Sequence, residues 1–395
     1  MEIHRRFEEV SAKYSTPPPG GEGGREENIA TREAHTEIEM LRCDIELSVL
    51  SSSQGSLSAE EGEEMDRVLG ELSEERLGLH SVHSSSSGMM YLRVVAVALA
   101  VLLIGLPLKA LVLPMRVLHP LFRACGLKNN FLPLDYVTKW FARFCLLVAG
   151  IRVMREGLEE LDLDTPCVGM FSHASNLDPF ILQSVCPIAF KWIGKSSIFA
   201  IPIFGWISLA YGHIPIDRSN RERAIASLDS AVRKIKRWER SIAISPEGTR
   251  SKSGLLKPFK KGAFHMVADT ELPIMPAVMF GNYERWPPGQ MFTTPGVVTV
   301  RFLPRISFPK GTSTDVMRLT LRKAMLTAQT SPPPYYLNKA DRYMSGTAWG
   351  STFVSIAVLF SPLAWYFFFP WASLFSAISH LSSLLSSLLS SIIFV

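Results

Sequence analysis

Cysteine is scarce in this 395-residue sequence, which has 5 such residues and no C-x-x-C pair. An odd number of widely spaced cysteines predicts neither a disulfide framework nor a zinc site. Because disulfides are rare in reducing compartments, we expect a domain that faces the cytosol. A G-x-S-x-G turn is also absent, which disfavours a serine nucleophile.

Charged residues are missing from two long stretches. Residues 94–108 contain no Asp, Glu, Lys or Arg, although Pro107 and the later Pro114 interrupt the apolar run. The last 53 residues also lack all four charged types, and Phe353 to Trp371 is long enough to cross a bilayer. The Leu/Ser repeat at 381–393 could lie on or in the membrane. We therefore predict hydrophobic segments on both sides of the central region.

A second N-terminal apolar segment covers residues 131–149. Asp135, Lys139 and Arg143 recur in it at spacings of four, which on a helix form one polar stripe. Two arrangements remain open for 89–149: one true span plus an interfacial helix, or a two-helix anchor that dips into one leaflet. We assign residues 89–149 to N-terminal hydrophobic or amphipathic membrane helices, and 331–395 to a linker and C-terminal membrane segment.

The charge balance divides the chain into an acidic tail and a basic body. Residues 1–90 carry 8 lysines and arginines against 19 acids, whereas residues 91–395 carry 33 against 17. The tail is rich in Ser, Glu and Gly, so residues 1–88 are predicted to be disordered. A basic body suits nucleic acid, anionic lipid or phosphorylated ligands, and the hydrophobic segments favour lipid.

Short apolar runs alternate with helical patterns through residues 150–330, which is typical of an α/β domain. Strands are expected at 167–171, 213–217, 241–244, 274–280 and 297–303. Helices are expected at 198–211, from about 220 to 238, and from a cap at 312–315 to about 328. The predicted fold is α/β, with a mixed, mostly parallel sheet flanked by helices, an N-terminal two-helix membrane anchor and a C-terminal hydrophobic segment.

An H-x-x-x-x-D pair, His173 and Asp178, follows the first of these strands. Open α/β sheets usually bind their ligands at this end of a strand. Asp178-Pro179 also reads as a helix start, with Asp178 as N-cap and the proline at N1. Taken alone, the pair is as compatible with a helix-capping Asp178 and a solvated loop histidine as with a catalytic base and its carboxylate.

Three further motifs follow in order: Gly212 to Arg218, Pro246 to Arg250, and Leu272 to Val278. Together with H-x-x-x-x-D, their order and spacing resemble the four blocks of the glycerolipid acyltransferase family, the lysophosphatidic acid acyltransferases. The resemblance covers about residues 145–310. Ser172 stands where many members carry asparagine, which weakens any assignment to a subfamily.

Acyl transfer from a thioester to an alcohol needs a base for the hydroxyl proton and stabilisation of an oxyanion. Histidine gains and loses a proton near neutral pH, so His173 suits the base. Asp178 would accept from its far ring nitrogen and orient it. These two residues are the predicted catalytic pair.

Guanidinium groups can bind a phosphate-bearing acceptor through paired hydrogen bonds. The resemblance implies that the block from Glu247 to Arg250 binds glycerol phosphate and that Arg218 and Lys195 lie close to it. The predicted substrate-binding set is therefore Lys195, Arg218, Glu247, Gly248, Thr249 and Arg250. Two alternatives stay open: Arg218 in a surface ion pair with Asp217 or Glu222, and Glu247 as a turn-stabilising carboxylate.

We interpret the sequence as a membrane acyltransferase that uses acyl-CoA as donor and lysophosphatidic acid as acceptor. Glycerol-3-phosphate or another lysophospholipid is the alternative acceptor, and a non-catalytic membrane-shaping scaffold is the alternative of another class. The expected partners are these substrates and membrane lipids, without nucleic acid, bound cofactor or metal. We expect an endoplasmic reticulum location with the catalytic domain facing the cytosol.

Overall fold

A computed structural model describes residues 133–337 apart from 160, 163, 202–203, 219, 239 and 291–292. It also describes residues 35–37, 39–44, 46–47, 50 and 118. Within these residues, no helix is both long enough and apolar enough to cross a bilayer. The membrane segments predicted at 94–108 and 343–395 lie outside the described residues. They stay predictions, as do the boundaries of the four parts of the chain.

One sheet of seven strands organises the described region. Its strands are β1 (Ile151–Glu156), β2 (Val168–Phe171), β3 (Lys191–Lys195), β4 (Ile214–Ile216), β5 (Ile242–Ile244), β6 (Ile274–Phe280) and β7 (Gly296–Phe302). The spatial order is β1-β7-β6-β2-β5-β3-β4. Every neighbouring pair is parallel except β6 with β7. The prediction of a mixed, mostly parallel sheet is confirmed.

Helices cover both faces of this sheet. They are α1 (Pro133–Val148), α2 (Asp178–Val185), α3 (Ser196–Phe199), α4 (Phe204–Tyr211), α5 (Arg221–Trp238), α6 (Gly262–Thr270), α7 (Asn282–Arg285), α8 (Thr314–Gln329) and α9 (Pro334–Leu337). One apolar cluster joins alternate residues of β2 and β6 to α5, α6 and α8. The intervening residues of both strands belong to a second cluster with α1 and α2. Successive strand side chains point to opposite faces, so strands buried on both sides read as unbroken apolar runs.

Two strands were not predicted from the sequence, and one predicted helix is longer than the helices observed there. β1 is an edge strand rich in charge, and β3 begins and ends with lysine, so neither is an apolar run. The expected helix at 198–211 is instead two short helices, α3 and α4. Lys191 at the start of β3 is tolerated in the interior because its ammonium lies 3.5 Å from the Asp135 carboxylate, a partner far away in the sequence.

The polar stripe predicted on 131–149 lies on α1, and two of its three residues bind the α/β domain. Asp135 is buried and accepts hydrogen bonds from Tyr211 Oη (2.6 Å) and Arg240 Nη1 (3.2 Å). Arg143 Nε donates to the Ser184 carbonyl of α2 (2.9 Å). These bonds attach α1 to the sheet domain. A membrane role for 89–149 stays a prediction.

The acidic tail differs from the expected disorder at residues 35–47. Within that range, 35–37, 39–44 and 46–47 are helical and pack on α8. The apolar residues of this segment alternate with acids, so the disorder prediction followed the acidic composition of the tail as a whole. Its charged partners are Arg318, Arg322 and Lys323 of α8, which lie 272 to 283 positions later in the sequence.

Candidate active site

Five neighbouring strands, β6, β2, β5, β3 and β4, run parallel to one another. Their C-terminal ends therefore share one edge of the sheet, where open α/β sheets bind ligands. Each strand ends at, or leads within a few residues to, a polar side chain at that edge: Asn282, His173, Glu247, Lys195 and Arg218 respectively. Strand order thus places residues of three separate motifs, together with Asn282 and Lys195, along one edge of the sheet.

His173 and Asp178 form the predicted pair. His173 Nδ1 lies 2.6 Å from Asp178 Oδ2, the Asp178 side chain is fully buried, and the His173 side chain is 20% exposed. The same carboxylate oxygen accepts from the backbone N–H groups of Ala174 and Ser175, at 2.9 Å each. An anionic acceptor beside Nδ1 favours the tautomer with the proton on Nδ1. The other ring nitrogen, Nε2, is then available as a base.

The expectation that Asp178 caps a helix is wrong. Helix α2 begins at Asp178 itself, Leu177 occupies the cap position, and no side chain there bonds to the helix. Asp178 Oδ2 already accepts three hydrogen bonds from residues 173–175, because the loop turns back over it. Pro179 stands in the first turn of the helix as predicted.

Asn282 is a site residue that the sequence prediction missed. Its buried side-chain amide donates from Nδ2 to Asp178 Oδ1 at 2.8 Å. The residue follows β6 directly after Gly281, which has a φ of 81° and where a Cβ would lie 2.7 Å from the Val297 carbonyl oxygen. A polar residue after a buried strand and a turn glycine was the available signal. With Asn282, four donors bind the Asp178 carboxylate.

Glu247 supports the backbone on which His173 sits. Its buried carboxylate accepts from the His173 N–H through Oε1 (2.7 Å) and from the Lys257 N–H through Oε2 (3.0 Å). The Ser251 N–H donates in turn to the His173 carbonyl (2.7 Å). The segment from Glu247 to Ser251 is therefore bonded to both the N–H and the carbonyl of His173. Of the two roles left open for Glu247, the geometry favours the turn-stabilising one.

Burial raises the pKa of Glu247 to about 8, although its hydrogen bonds from His173 and Lys257 act in the opposite direction. A carboxyl whose pKa is higher in the folded than in the unfolded state binds protons preferentially when folded. Its ionisation therefore costs stability as the pH rises from the unfolded pKa towards the folded one. The free energy of unfolding should fall by roughly 1 kcal/mol or more between pH 5 and pH 8 through this group.

Urea unfolding of the full-length protein at pH 5 to 9 measures this prediction. The variant Glu247→Gln cannot ionise, so its stability should depend less on pH than that of the wild type, even if it is less stable throughout. Glu271 is an exposed glutamate whose pKa is lowered by its hydrogen bond and charge interaction with Lys310. The control Glu271→Gln should therefore keep the wild-type slope. Equal slopes for wild type and Glu247→Gln would contradict the prediction.

Cationic side chains gather around the Gly248 turn. Arg218 Nη1 donates to the Gly248 carbonyl, and Lys257 Nζ donates to Thr249 Oγ1 (3.3 Å). Gly248 has a φ of 73°, and a Cβ there would lie 2.8 Å from Lys260 Cδ, so glycine suits both the backbone and the close contact. The turn thus combines hydroxyl, backbone and ammonium donors.

Neither arginine of the predicted phosphate-binding set pairs with an acid among the described residues. Asp217 forms its ion pair with Arg223 (3.4 Å) instead of Arg218. Arg250 is half-buried, and the described contacts include no hydrogen bond from it. The surface ion pair considered for Arg218 is therefore not seen, and both guanidinium groups retain donors for an anion.

Lys195 lies one strand away from Arg218 at the same edge. It is the exposed last residue of β3 and pairs in register with Ile216, two positions before Arg218. The described contacts include none between Lys195 and the other predicted site residues. The structure thus joins His173, Asp178 and Glu247 through hydrogen bonds and places Arg218 against Gly248. Lys195 lies at the same edge of the sheet without a described contact to these residues.

Comparison with known proteins points to one family. Residues 152–280 match the family model described as Acyltransferase. The chain is 38% identical over 160 residues to a 1-acyl-sn-glycerol-3-phosphate acyltransferase of Limnanthes douglasii, covering 40% of this chain and 56% of that protein. It is 34% identical over 198 residues to Caenorhabditis elegans acl-2, provisionally named for the same activity, covering 49% and 70% respectively.

The matches are partial in length. The chain spans about half the length of the plant relatives it matches. The crystal structure of the 1-acyl-sn-glycerophosphate (LPA) acyltransferase PlsC from Thermotoga maritima aligns with 51% of this chain and with 81% of the PlsC chain. The sequence identity is 23% and the TM-score is 0.45. The similarity to acl-2 extends over more than two thirds of that relative. On this similarity and the family match, the chain belongs to the glycerolipid acyltransferase family, among the proteins of 1-acyl-sn-glycerol-3-phosphate acyltransferase type.

Proposed function

We propose that this protein transfers a fatty acyl group from acyl-CoA to the 2-hydroxyl of lysophosphatidic acid, which gives phosphatidic acid. The observation that carries the proposal is the buried Asp178 carboxylate, 2.6 Å from His173 Nδ1, at the sheet edge that also holds Arg218 and Arg250. A base and an anion site at one edge suit an acceptor that has both a hydroxyl and a phosphate. The names of the relatives indicate the same class of acceptor.

In the proposed reaction His173 is the general base. Its Nε2 takes the proton of the acceptor hydroxyl as the oxygen attacks the thioester carbonyl carbon. The tetrahedral intermediate collapses, the carbon–sulfur bond breaks, and the imidazolium returns the proton to the departing thiolate of coenzyme A. Asp178 stabilises the imidazolium through Nδ1 while it exists, as in other carboxylate-oriented histidines. No acyl-enzyme is needed because the thioester is already activated.

The acceptor phosphate is proposed to lie against Arg250 and Arg218. A guanidinium can bind two phosphate oxygens through parallel hydrogen bonds. Thr249, the Gly248 backbone and Lys195 complete the predicted set around this position. Glu247 takes a different role in the proposal, since both of its oxygens already accept backbone hydrogen bonds. It positions His173 and the Gly248 turn and does not itself contact the phosphate.

The substitution Arg250→Lys should weaken phosphate binding while leaving the chemistry intact. Loss of one bidentate interaction is expected to raise KM for lysophosphatidic acid about tenfold, with kcat and the KM for acyl-CoA within about twofold. Steady-state kinetics with both substrates measures this. The matched control is Arg233→Lys, at an exposed arginine on α5, which should behave as the wild type.

An acceptor without phosphate makes the Arg250 test specific. With monoacylglycerol, Arg250→Lys and wild type should have the same KM, because this acceptor has no phosphate for Arg250 to bind. If Arg250→Lys raised the KM for monoacylglycerol and lysophosphatidic acid equally, Arg250 would shape the pocket and would not bind phosphate.

The decisive assay for the proposed function uses the full-length protein in lipid discs with acyl-CoA. Lysophosphatidic acid, glycerol-3-phosphate and lysophosphatidylcholine are offered separately, and the phospholipid products are quantified. Lysophosphatidic acid should give the highest kcat/KM, and a higher value for another acceptor would replace it as the substrate. Membrane tubulation without any acyl transfer would instead favour the scaffold alternative. The membrane attachment and the cytosolic orientation belong to the proposal and need topology mapping.

A further inference from the structure

The helical part of the acidic tail, residues 35–37, 39–44 and 46–47, is called the tail helix below. It packs on α8 through three ion pairs: Glu39 with Arg322, Asp44 with Lys323, and Glu46 with Arg318. Cys43 is fully buried in the apolar cluster of α5, α6 and α8. The Glu39–Arg322 pair is buried, whereas the Asp44–Lys323 pair is only partly buried. Part of the tail is thus built into the domain.

Arg322 also contacts the backbone that leads to the active site. Its Nη2 donates to the Leu256 carbonyl oxygen at 3.3 Å. That carbonyl belongs to the same peptide group as the Lys257 N–H, which donates to Glu247 Oε2 at 3.0 Å. Glu247 Oε1 in turn accepts from the His173 N–H at 2.7 Å. A continuous series of hydrogen bonds therefore runs from Glu39 to the backbone of the catalytic histidine.

The order of charges makes this series cooperative. A cation on the Leu256 carbonyl polarises the peptide group, which makes the Lys257 N–H a better donor to Glu247 Oε2. Glu39 keeps the buried guanidinium in place, since a buried arginine without its carboxylate would have to move towards water or another partner. Arg322 Nε has no hydrogen-bond partner among the described residues, so the two Nη groups determine its orientation.

We propose that Glu39 and Arg322 are positioning residues for acyl transfer, acting through the Leu256–Lys257 peptide group and Glu247 on His173. The inference rests on the proposed function and deepens it. Both residues lie outside the matched region of 152–280, so the family match by itself assigns them no role. Through Glu39, the tail helix would then help to position the active-site histidine.

The first test compares two neutralising substitutions of tail-helix residues that each form an ion pair with α8, in the full-length protein. Glu39→Gln removes the charge that holds Arg322, and Asp44→Asn removes the partly buried pair with Lys323. Glu39→Gln should lower kcat about tenfold with KM for both substrates nearly unchanged, since a small displacement of a catalytic group is costly. Asp44→Asn should stay within about twofold of wild type.

Hydrogen exchange gives a readout that does not depend on activity. In Glu39→Gln the backbone amides of His173 and Lys257 should exchange faster, because their shared acceptor Glu247 is less well held. Peptides that cover these amides should be unchanged in Asp44→Asn. Amide exchange at both positions equal to that of the control would overturn the proposal.

Simple loss of stability is separated from positioning by the double variant Glu39→Leu with Arg322→Met. An apolar pair of similar volume can replace a buried ion pair without loss of stability. It cannot donate to the Leu256 carbonyl. This variant should melt near the wild-type temperature and still show the tenfold lower kcat. A stable double variant with wild-type kcat would overturn the proposal.

Failure of the proposed function gives a different pattern from failure of this inference. If the wild type transferred no acyl group to any acceptor while Glu39→Gln still accelerated exchange at His173 and Lys257, the positioning would stand and the activity would be wrong. If the wild type were active and Glu39→Gln matched Asp44→Asn in both kcat and exchange, the activity would stand and the positioning would be wrong.

Discussion

Replacement of His173 by alanine is expected to lower kcat for acyl transfer about 10³-fold. General base catalysis by a positioned side chain contributes roughly 10² to 10⁴, and alanine leaves no group to take the hydroxyl proton. Binding should be little affected, because Arg218, Arg250 and the Gly248 turn remain. The measurement is initial velocity with acyl-CoA and lysophosphatidic acid in lipid discs, with KM determined for each substrate.

An exposed histidine supplies the control. His265 is exposed on α6, and the described contacts join its side chain to none of the predicted site residues, so His265→Ala should keep wild-type kcat. Hydrogen exchange at the Ser251 amide, which donates to the His173 carbonyl, shows whether the loop survives the substitution. A His173→Ala protein with an intact loop and full activity would exclude the proposed mechanism.

The substitution Asp178→Asn should lower kcat about as much as His173→Ala does, by about 10³-fold. The Asp178 carboxylate accepts four hydrogen bonds, from His173 Nδ1, two backbone N–H groups and Asn282. An asparagine has one oxygen acceptor and would direct an amide N–H towards groups that are themselves donors. It would also favour the histidine tautomer with the proton on Nε2, which cannot act as the base.

The substitution Asn282→Leu tests a smaller change at the same carboxylate. It removes one of the four hydrogen bonds and leaves the contact with His173 in place, so a loss of about tenfold in kcat is expected. Thermal unfolding of both variants shows whether the fold is retained. A loss below tenfold in a folded Asp178→Asn protein would mean that the carboxylate only shapes the loop.

Much of the fold was accessible from the sequence because the relevant signals are local. Strands β2, β5 and β6 are buried on both faces, and each is an apolar run between turn residues. Helix α5 carries its apolar positions at three- and four-residue steps. The prediction failed at β1 and β3, whose charged residues are either exposed, as Lys195 is, or paired with a distant partner, as Lys191 is with Asp135.

Most residues of the candidate site were predicted from the sequence, but the roles of several of them were not. His173, Asp178 and Glu247 were named from motif order, and the structure brings them together. The contacts of Asp178 and Glu247 depend on which donors the fold presents to them. Asn282 was missed because its amide gains significance only when β6 lies beside β2.

The sequence by itself determined the local pieces: the buried strands, the loop from His173 to Asp178, and the resemblance to an acyltransferase family. Only the tertiary structure decided that Glu247, 74 positions away, supports the His173 backbone and that Asn282, 104 positions from Asp178, completes its hydrogen bonds. It also placed Asp135 in the interior and Glu39 on Arg322. The physical reason is that strand order and helix packing set long-range distances, and a charged side chain is stable in the interior only beside partners that the fold supplies.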